Sequence, residues 1–196
     1  MNSKKSLIII LLTALFGGIS YVSLPPTYTS EKETITEQTP YNRNEYGTWI
    51  DEDKDCQNTR HEILIAGSTI TPTFKTEKKC LVTSGKWVGA YTNQPFDKTN
   101  QLDIDHIVPI KEAHISGAFL WDKKKKNQFF NDIENLIPVS RSANRSKGSK
   151  DPAEWLPSNE AFHCTYIQTW IAIKTKYSLT IDSKEQIAIN IALKKC

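Results

Sequence analysis

The chain has 196 residues, of which 38% are hydrophobic, and its 25 basic and 22 acidic side chains leave a net charge of +3. A charge this small does not by itself indicate a protein that binds nucleic acid. Evidence for such a function must therefore come from where the basic residues lie along the chain. The stretch from residue 46 onward is about the length of one domain and can support a single core.

The first 24 residues have the pattern of an export signal. Lys4 and Lys5 precede an uncharged apolar run at residues 7–24, as in a secretory signal peptide. Gly17 and Gly18 interrupt this run, which favours cleavage. The run is also about long enough to cross a bilayer. We therefore expect a secreted or periplasmic protein or, if the signal is retained, one that residues 7–24 anchor to the inner membrane.

Two further regions follow the signal. Residues 25–45 are rich in threonine, glutamate and proline, and such a segment buries too little apolar surface to offset the entropy lost on ordering. It is expected to be a flexible linker. Residues 46–196 then form the predicted domain.

Hydrophobic spacing and turn residues predict a mixture of helices and short strands in this domain. In chain order they are a helix at 58–66, strands at 69–74, 81–83, 86–91 and 102–110, helices at 111–117 and 122–132, a strand at 135–139, and helices at 140–147, 160–177 and 183–195. The predicted fold class is α+β.

All four cysteines lie in the predicted exported domain. An even number of cysteines outside the cytoplasm indicates two disulfides, for which three pairings exist. Joining neighbours along the chain favours Cys56–Cys80 and Cys164–Cys196. A zinc site is the competing interpretation, but the spacing of metal-binding cysteine and histidine pairs is missing.

Three short motifs carry residues suited to chemistry. They are D-x-D-H-I-V-P at 103–109, N-L-I-P-V-S at 135–140 and N-R-S-K-G at 144–148. An aspartate carboxylate and an asparagine amide oxygen are ligands that Mg²⁺ accepts, and it keeps several of its waters. An imidazole can remove a proton from water near neutral pH. The motifs therefore predict a one-metal site able to cleave phosphodiesters.

The order and spacing of these motifs resemble the HNH (ββα-metal) nucleases. Residues 46–196 are similar to secreted proteins that carry the GmrSD-type HNH endonuclease C-terminal domain. Residues that share this pattern outside the three motifs are Gly117, Ala118, Trp121, Asn131, Asp132, 151–157 and the two cysteine pairs. The resemblance implies a ββα-metal (His-Me finger) core with flanking helices and short strands, stapled by disulfides.

The resemblance also implies roles for individual residues. Asp105 and Asn144 would hold a single Mg²⁺, for which Mn²⁺ could substitute. His106 would deprotonate the attacking water, and Asn135 would order the loop through backbone hydrogen bonds. Asp103 would hold a metal-binding side chain in its orientation without contacting the metal itself, or would merely cap the strand.

Three basic residues are expected to bind phosphates of the substrate. Arg145 and Lys147 belong to the basic run at 141–150, which surrounds the predicted ligand Asn144 and holds no acidic residue. Arg60 matches the family's pattern after Cys56, and the alternative for it is pairing with acidic residues nearby. Arginine suits phosphate because its guanidinium donates two parallel hydrogen bonds.

A second metal site is suggested by acidic residues near the start of the domain. Asp51, Asp53, Asp55 and Glu62 fall at positions 1, 3, 5 and 12 of an EF-hand-like Ca²⁺ loop. Position 6 is Cys56, where the EF-hand needs glycine. The alternative, which we favour, is an acidic turn that stabilises the N-terminus of the following helix.

The resemblance thus implies an exported endonuclease with little sequence preference, since most contacts would go to phosphates. Double-stranded DNA is the first expected substrate, with single strands and RNA as alternatives. The competing function is a catalytically inactive extracellular module that binds nucleic acid or calcium. Such a module would need the basic and acidic residues but not the set Asp105, His106, Asn135 and Asn144.

Overall fold

The computed structural model describes residues 39–196. The predicted signal or anchor at 1–24, and the predicted linker up to residue 38, lie outside the described residues. Among the described residues, no helix is both long and apolar enough to span a membrane.

Two small antiparallel sheets and six α-helices make up the α+β domain described at 39–196. The first sheet has the order β1 (Thr73–Phe74), β2 (Val82–Gly89), β3 (Gln94–Lys98), and the second pairs β4 (Leu102–His106) with β5 (Leu136–Ser140). The helices are α1 (Thr59–Gly67), α2 (Ile110–Ile115), α3 (Lys123–Phe130), α4 (Arg141–Lys147), α5 (His163–Tyr177) and α6 (Ser183–Leu193).

The first sheet differs most from the prediction. The two strands predicted at 81–83 and 86–91 are one strand, β2, whose register shifts between Ser84 and Trp87. A Cβ on Gly85 would lie 2.6 Å from the Trp87 ring, so glycine lets the backbone pass the buried indole. Strand β3 was not predicted because its residues are mostly exposed and lack the alternation that marks a half-buried strand.

The second sheet and α4 form a strand–strand–helix unit. Strand β5 runs directly into α4, where the Ser140 side chain caps the helix by accepting a hydrogen bond from the Ala143 amide at 3.2 Å. Strand β4 pairs with β5 along its whole length, with Ile104 opposite Pro138. The cap and the pairing together hold α4 against β4.

Two hydrophobic clusters support this unit. The larger one surrounds Trp170 of α5, and the smaller one surrounds Trp87 and includes Leu102 and Ile104 of β4. Lys174 is fully buried beside the larger cluster and lies 2.7 Å from Glu112 of α2 and 3.2 Å from Glu185 of α6. This ion-pair network joins α2, α5 and α6.

Residues 39–45 pack against the domain, although they were expected to belong to the flexible linker. The Tyr41 ring contacts the ring of His114 at a centroid distance of 5.4 Å. Glu45 pairs with Lys126 at 2.7 Å, and the Arg43 guanidinium lies 5.5 Å from the centre of the Phe130 ring. One aromatic ring and two charged side chains therefore attach this segment to the domain. The polar composition of the segment did not predict these contacts. The folded part therefore begins before residue 46.

Two disulfides join Cys56 to Cys80 and Cys164 to Cys196, the pairs expected from their order along the chain. The first ties the loop before α1 to the segment before β2. The second ties the start of α5 to the end of the chain after α6. Neither crosses the strand–strand–helix unit.

Candidate active site

Helix α4 presents a row of polar side chains to strand β4. Arg141, Asn144 and Lys147 recur every three residues, so they lie on one face of the helix. Asp103 and Asp105 are two residues apart on β4 and therefore point to the same side of the sheet. The row meets this pair, because Asn144 and Arg141 contact Asp103 and Lys147 contacts Asp105.

One oxygen of Asp105 is bonded by two donors. Lys147 Nζ lies 2.8 Å from Asp105 Oδ2, and the Tyr91 hydroxyl donates to the same oxygen at 2.7 Å. Lys147 Nζ also donates to the backbone carbonyl of His106 at 2.8 Å. Oδ1 of Asp105 is the oxygen that neither donor uses. The carboxylate is therefore held in one orientation with one oxygen left for another partner.

Asn144 is oriented by Asp103 in a similar way. Asn144 Nδ2 donates to Asp103 Oδ2 at 3.1 Å. Since a carboxylate only accepts hydrogen bonds, this contact fixes the amide nitrogen toward Asp103 and leaves the amide oxygen for a different partner. Arg141 Nε lies 3.8 Å from the other oxygen of Asp103.

His106 makes a separate set of contacts. Its Nε2 lies 2.8 Å from the carbonyl oxygen of Phe130. A carbonyl only accepts, so Nε2 carries the proton and Nδ1 holds the lone pair. The ring stacks on Trp49 with a centroid distance of 5.7 Å and an angle of 10°, and it is only 4% exposed.

Burial changes the acid–base properties of His106. Loss of hydration lowers the pKa of His106 to about 3, while the hydrogen bond to Phe130 acts in the opposite direction. The nearby cations Arg43 and Lys147 lower the pKa further. The sequence-based expectation, a pKa near neutrality, does not hold in this conformation. The imidazole is therefore neutral throughout the physiological pH range, but a pKa this low makes it a weak proton acceptor while the ring stays dehydrated.

The structure does not bring the side chains of Asp105 and His106 into the same group of contacts. Neighbouring residues of a strand point to opposite faces, and the chain bends only after His106, where β4 ends. Asn135 holds this bend. Its Oδ1 accepts from the Val108 amide at 2.8 Å, and its Nδ2 donates to the Val108 carbonyl at 3.1 Å. This is the geometry expected of an asparagine that orders the loop.

The expected phosphate contacts are distributed differently. Lys147 is fully buried and its ammonium has two partners, so the expectation that it contacts phosphate is corrected. Arg145 is exposed on α4. Arg60 donates to the Leu102 carbonyl at 3.1 Å and lies within electrostatic reach of Asp103. The Arg141 side chain, which is 52% exposed beside Asp103, is a better placed cation.

Sequence reasoning missed two members of this site. Arg141 could have been found, because it precedes Asn144 by three residues and so shares its helix face. Tyr91 could not, because it comes from the end of the first sheet and reaches Asp105 only through the tertiary fold.

The donor set fits a hard divalent cation. Asp105 and Asn144 each retain one oxygen that is not used by their orienting partner. Mg²⁺ is bound by oxygen ligands and keeps several waters, so two protein oxygens suffice. A ligand that is itself held by a hydrogen bond or ion pair is the usual arrangement around a protein-bound metal.

The acidic loop brings three of its four expected calcium ligands together. Carboxylate oxygens of Asp51, Asp53 and Asp55 lie within 4.8 Å of one another, and all three residues are exposed. Burial raises the pKa of Glu62, and the acidic loop residues, Asp53 first, raise it further. Cys56 has a φ of 77°, so the backbone at position 6 adopts the region that favours glycine.

Comparisons with known proteins agree with the resemblance. The family model described as GmrSD restriction endonucleases, C-terminal domain, matches residues 59–190, which include the whole strand–strand–helix unit. A relative from Arthroderma benhamiae is 33% identical over 168 residues, covering 83% of this chain and 80% of the relative, and is named an uncharacterized secreted protein. No solved structure gives a significant match.

Proposed function

We propose that this chain, which belongs to the GmrSD restriction endonuclease C-terminal domain family, is an exported, metal-dependent endonuclease of the HNH type. The family suggests nuclease activity. The observation that carries the proposal is that Asp105 and Asn144 are each oriented by a partner that leaves one oxygen free. A binding module would not need such ligand positioning.

In this proposal the strand–strand–helix unit is the ββα-metal core. Asp105 and Asn144 hold one Mg²⁺ or Mn²⁺, which when bound supplies Lewis acidity for the phosphate and the leaving oxygen. Asp103 keeps the Asn144 amide oxygen directed away from itself. Lys147 and Tyr91 hold Asp105 by its other oxygen.

His106 is the proposed general base. The hydrogen bond from Nε2 to Phe130 fixes the tautomer, so Nδ1 receives the proton of the attacking water. Trp49 covers the ring, and water must reach Nδ1 beside that indole. Asn135 acts indirectly, because it holds the bend that follows His106.

The proposed substrate is nucleic acid, with double-stranded DNA first and single strands and RNA as alternatives. Arg141 and Arg145 supply exposed cations on α4, and Arg60 supplies a third near Asp103. In this proposal these cations contact phosphates, which are the same in every sequence, so cutting shows little sequence preference.

Export is part of the proposal. The similar Arthroderma benhamiae protein is named as secreted. Two disulfides also suit a protein that leaves the reducing cytosol. Secretion or release into a periplasm is proposed over anchoring by residues 7–24.

Plasmid nicking by the full chain tests the activity. We expect nicking with Mg²⁺ or Mn²⁺, no nicking in EDTA, and no nicking by His106→Ala. The matched control is His163→Ala, since His163 lies at the start of α5, outside the strand–strand–helix unit, and should retain activity. Cutting by His106→Ala at the unsubstituted rate would remove His106 from the mechanism.

A second candidate function is an inactive module that binds nucleic acid or calcium. The clustering of Asp51, Asp53 and Asp55 favours it. If the unsubstituted chain never cuts with any divalent cation but binds DNA or Ca²⁺, this function replaces the first. Loss of Ca²⁺ binding in Asp53→Asn would assign the ion to the acidic loop.

A further inference from the structure

A pocket of about 300 Å³ lies beside the proposed metal site. Its walls come from the turn after β2, from the side of α4 that faces away from β4, and from the segment after α4. The lining residues that matter here are Tyr91, Thr92, Ser142, Ser146, Trp155 and Ser158.

The lining of this pocket is uncharged and rich in hydroxyl groups. Ser142 and Ser146 are exposed on α4, and the Trp155 indole donates to the Ser146 hydroxyl at 3.2 Å. An uncharged lining does not favour a phosphate group. It suits a flat, neutral ligand that has hydrogen-bonding edges, and an aromatic wall adds stacking energy.

One buried hydroxyl group that lines this pocket, that of Thr92, is unsatisfied, and a second lies on Tyr166, which packs behind two of the lining residues. Thr92 Oγ1 and the Tyr166 hydroxyl are the buried side-chain oxygens without a hydrogen-bond partner among residues 39–196. Thr92 lines the pocket, and the Tyr166 ring packs on Tyr91 and Trp155 with centroid distances of 5.8 and 6.0 Å. A buried hydroxyl without a partner is costly. At Thr92 a ligand in the pocket would supply the missing partner.

Tyr91 connects the pocket to the metal site. Its ring lines the pocket, while its hydroxyl donates to Asp105 at 2.7 Å. On α4, Ala143 lines the pocket and is followed directly by Asn144. The Tyr91 side chain therefore separates an occupant of the pocket from the proposed metal ligand Asp105. The other proposed ligand, Asn144, is one helix position from a residue of the pocket wall.

We propose that this pocket receives the base of an unpaired nucleotide next to the scissile phosphodiester. The inference rests on the proposed nuclease function and changes the order of its substrates, because it places single strands ahead of double-stranded DNA. A base in a duplex is stacked and paired, and it must be extruded before it can enter a pocket. The chain therefore binds and cuts single-stranded or frayed nucleic acid in preference to an intact duplex.

Binding in EDTA tests this preference without cleavage. The probes are a labelled single-stranded DNA of about eight nucleotides, an abasic strand of equal length and charge, and the corresponding duplex, followed by fluorescence anisotropy. The base-bearing strand should bind about 5- to 100-fold more tightly than the abasic strand. Equal binding of all three overturns the pocket while leaving the nuclease proposal intact. If none binds and nothing is cut with metal, the proposed function itself fails.

Thr92→Val separates a role in binding from a role in folding. Valine removes an unsatisfied buried hydroxyl, so the variant should be at least as stable to urea as the unsubstituted chain. It should nevertheless lose several-fold in affinity for the base-bearing strand and nothing for the abasic strand. The matched control is Thr83→Val on the exposed face of β2, which should leave both affinities unchanged. Unchanged binding by a folded Thr92→Val overturns the assignment of Thr92 to the pocket.

Discussion

The ammonium of Lys147 lies 2.8 Å from Oδ2 of Asp105, and both side chains are buried. The protein thus carries an internal counter-charge for the carboxylate that we propose as a metal ligand. The site does not depend on a bound cation to neutralise this carboxylate, because Lys147 and Tyr91 both bind Oδ2 and leave Oδ1 for a further partner.

Replacing Lys147 should destabilise the chain. Lys147→Met leaves Asp105 buried without its cation, and breaking a buried pair in this way costs about 3–5 kcal/mol of unfolding free energy. Urea denaturation at neutral pH in EDTA measures the loss. Added Mg²⁺ should restore more stability to this variant than to the unsubstituted chain, because the metal ion can then neutralise Asp105.

The control for this prediction is Lys150→Met. Lys150 is exposed three residues after the end of α4, and its replacement should change the unfolding free energy little. A Lys147→Met variant as stable as Lys150→Met would show that the buried pair contributes nothing.

Metal binding should be coupled to nucleic acid binding. Around the proposed ligands, the three cations Arg60, Arg141 and Lys147 face the two carboxylates of Asp103 and Asp105. A divalent cation therefore enters a region that is already positive, whereas a phosphodiester brings compensating negative charge. Mn²⁺ affinity, measured by electron paramagnetic resonance, should rise when a cleavage-resistant phosphorothioate strand is present.

This coupling is reciprocal, so Mn²⁺ should tighten binding of the strand by the same factor. Arg141→Gln should reduce the difference between the two Mn²⁺ affinities, because it removes one of the cations that the strand compensates. An Mn²⁺ affinity that is independent of the strand would contradict the charge argument.

Acid should destabilise the chain through His106. The folded pKa of His106 is about 3, while an unfolded histidine has a pKa of about 6.5. Below the unfolded value the unfolded chain binds a proton that the folded chain does not. The stabilisation is therefore complete above about pH 6.5 and is lost at about 1.4 kcal/mol per pH unit as the pH falls toward the folded pKa.

Urea unfolding in EDTA across this pH range provides the measurement. Aspartates and glutamates also titrate there, so the comparison is with His106→Gln, whose amide can still donate to Phe130. The difference in unfolding free energy between the two proteins should shrink steadily as the pH falls. A constant difference would mean that His106 titrates alike in both states.

Removing the Asn135 side chain should loosen the bend after β4. Asn135→Ala leaves the amide and carbonyl of Val108 without their partners, which costs about 2–6 kcal/mol for two buried backbone groups. Hydrogen exchange should report faster exchange at the Val108 amide. A matched control is Asn159→Ala, which removes a bond to the Ala90 carbonyl away from β4 and should leave Val108 protected.

The motifs along the chain were sufficient to predict the strand–strand–helix unit that carries the candidate site. Asn144 faces strand β4, where it contacts Asp103, because β5 leads directly into α4, and this connection is local in sequence. The role of Asn135 in holding the bend after β4 was expected from the same motifs. These residues lie on one short unit whose geometry is set by strand pairing and one helix cap.

Other features depend on tertiary contacts that no local pattern records. Tyr91 reaches Asp105 from another sheet. Lys147 resembles a surface cation in sequence, and only the position of its helix face buries it. The pKa of His106 follows from the rings stacked around it, so its unperturbed value was a poor guide.

The two disulfides enclose residues 56–80 and 164–196, and the strand–strand–helix unit lies between these closed loops. A peptide bond cut inside either loop leaves the molecule in one piece. A cut anywhere from residue 81 to residue 163 gives two fragments with no covalent link between them, since the chain has only 4 cysteines. The lifetime of an exported protein of this design in the presence of proteases is therefore decided by how tightly the segments around Asp105 are packed, and its cross-links do not protect that region.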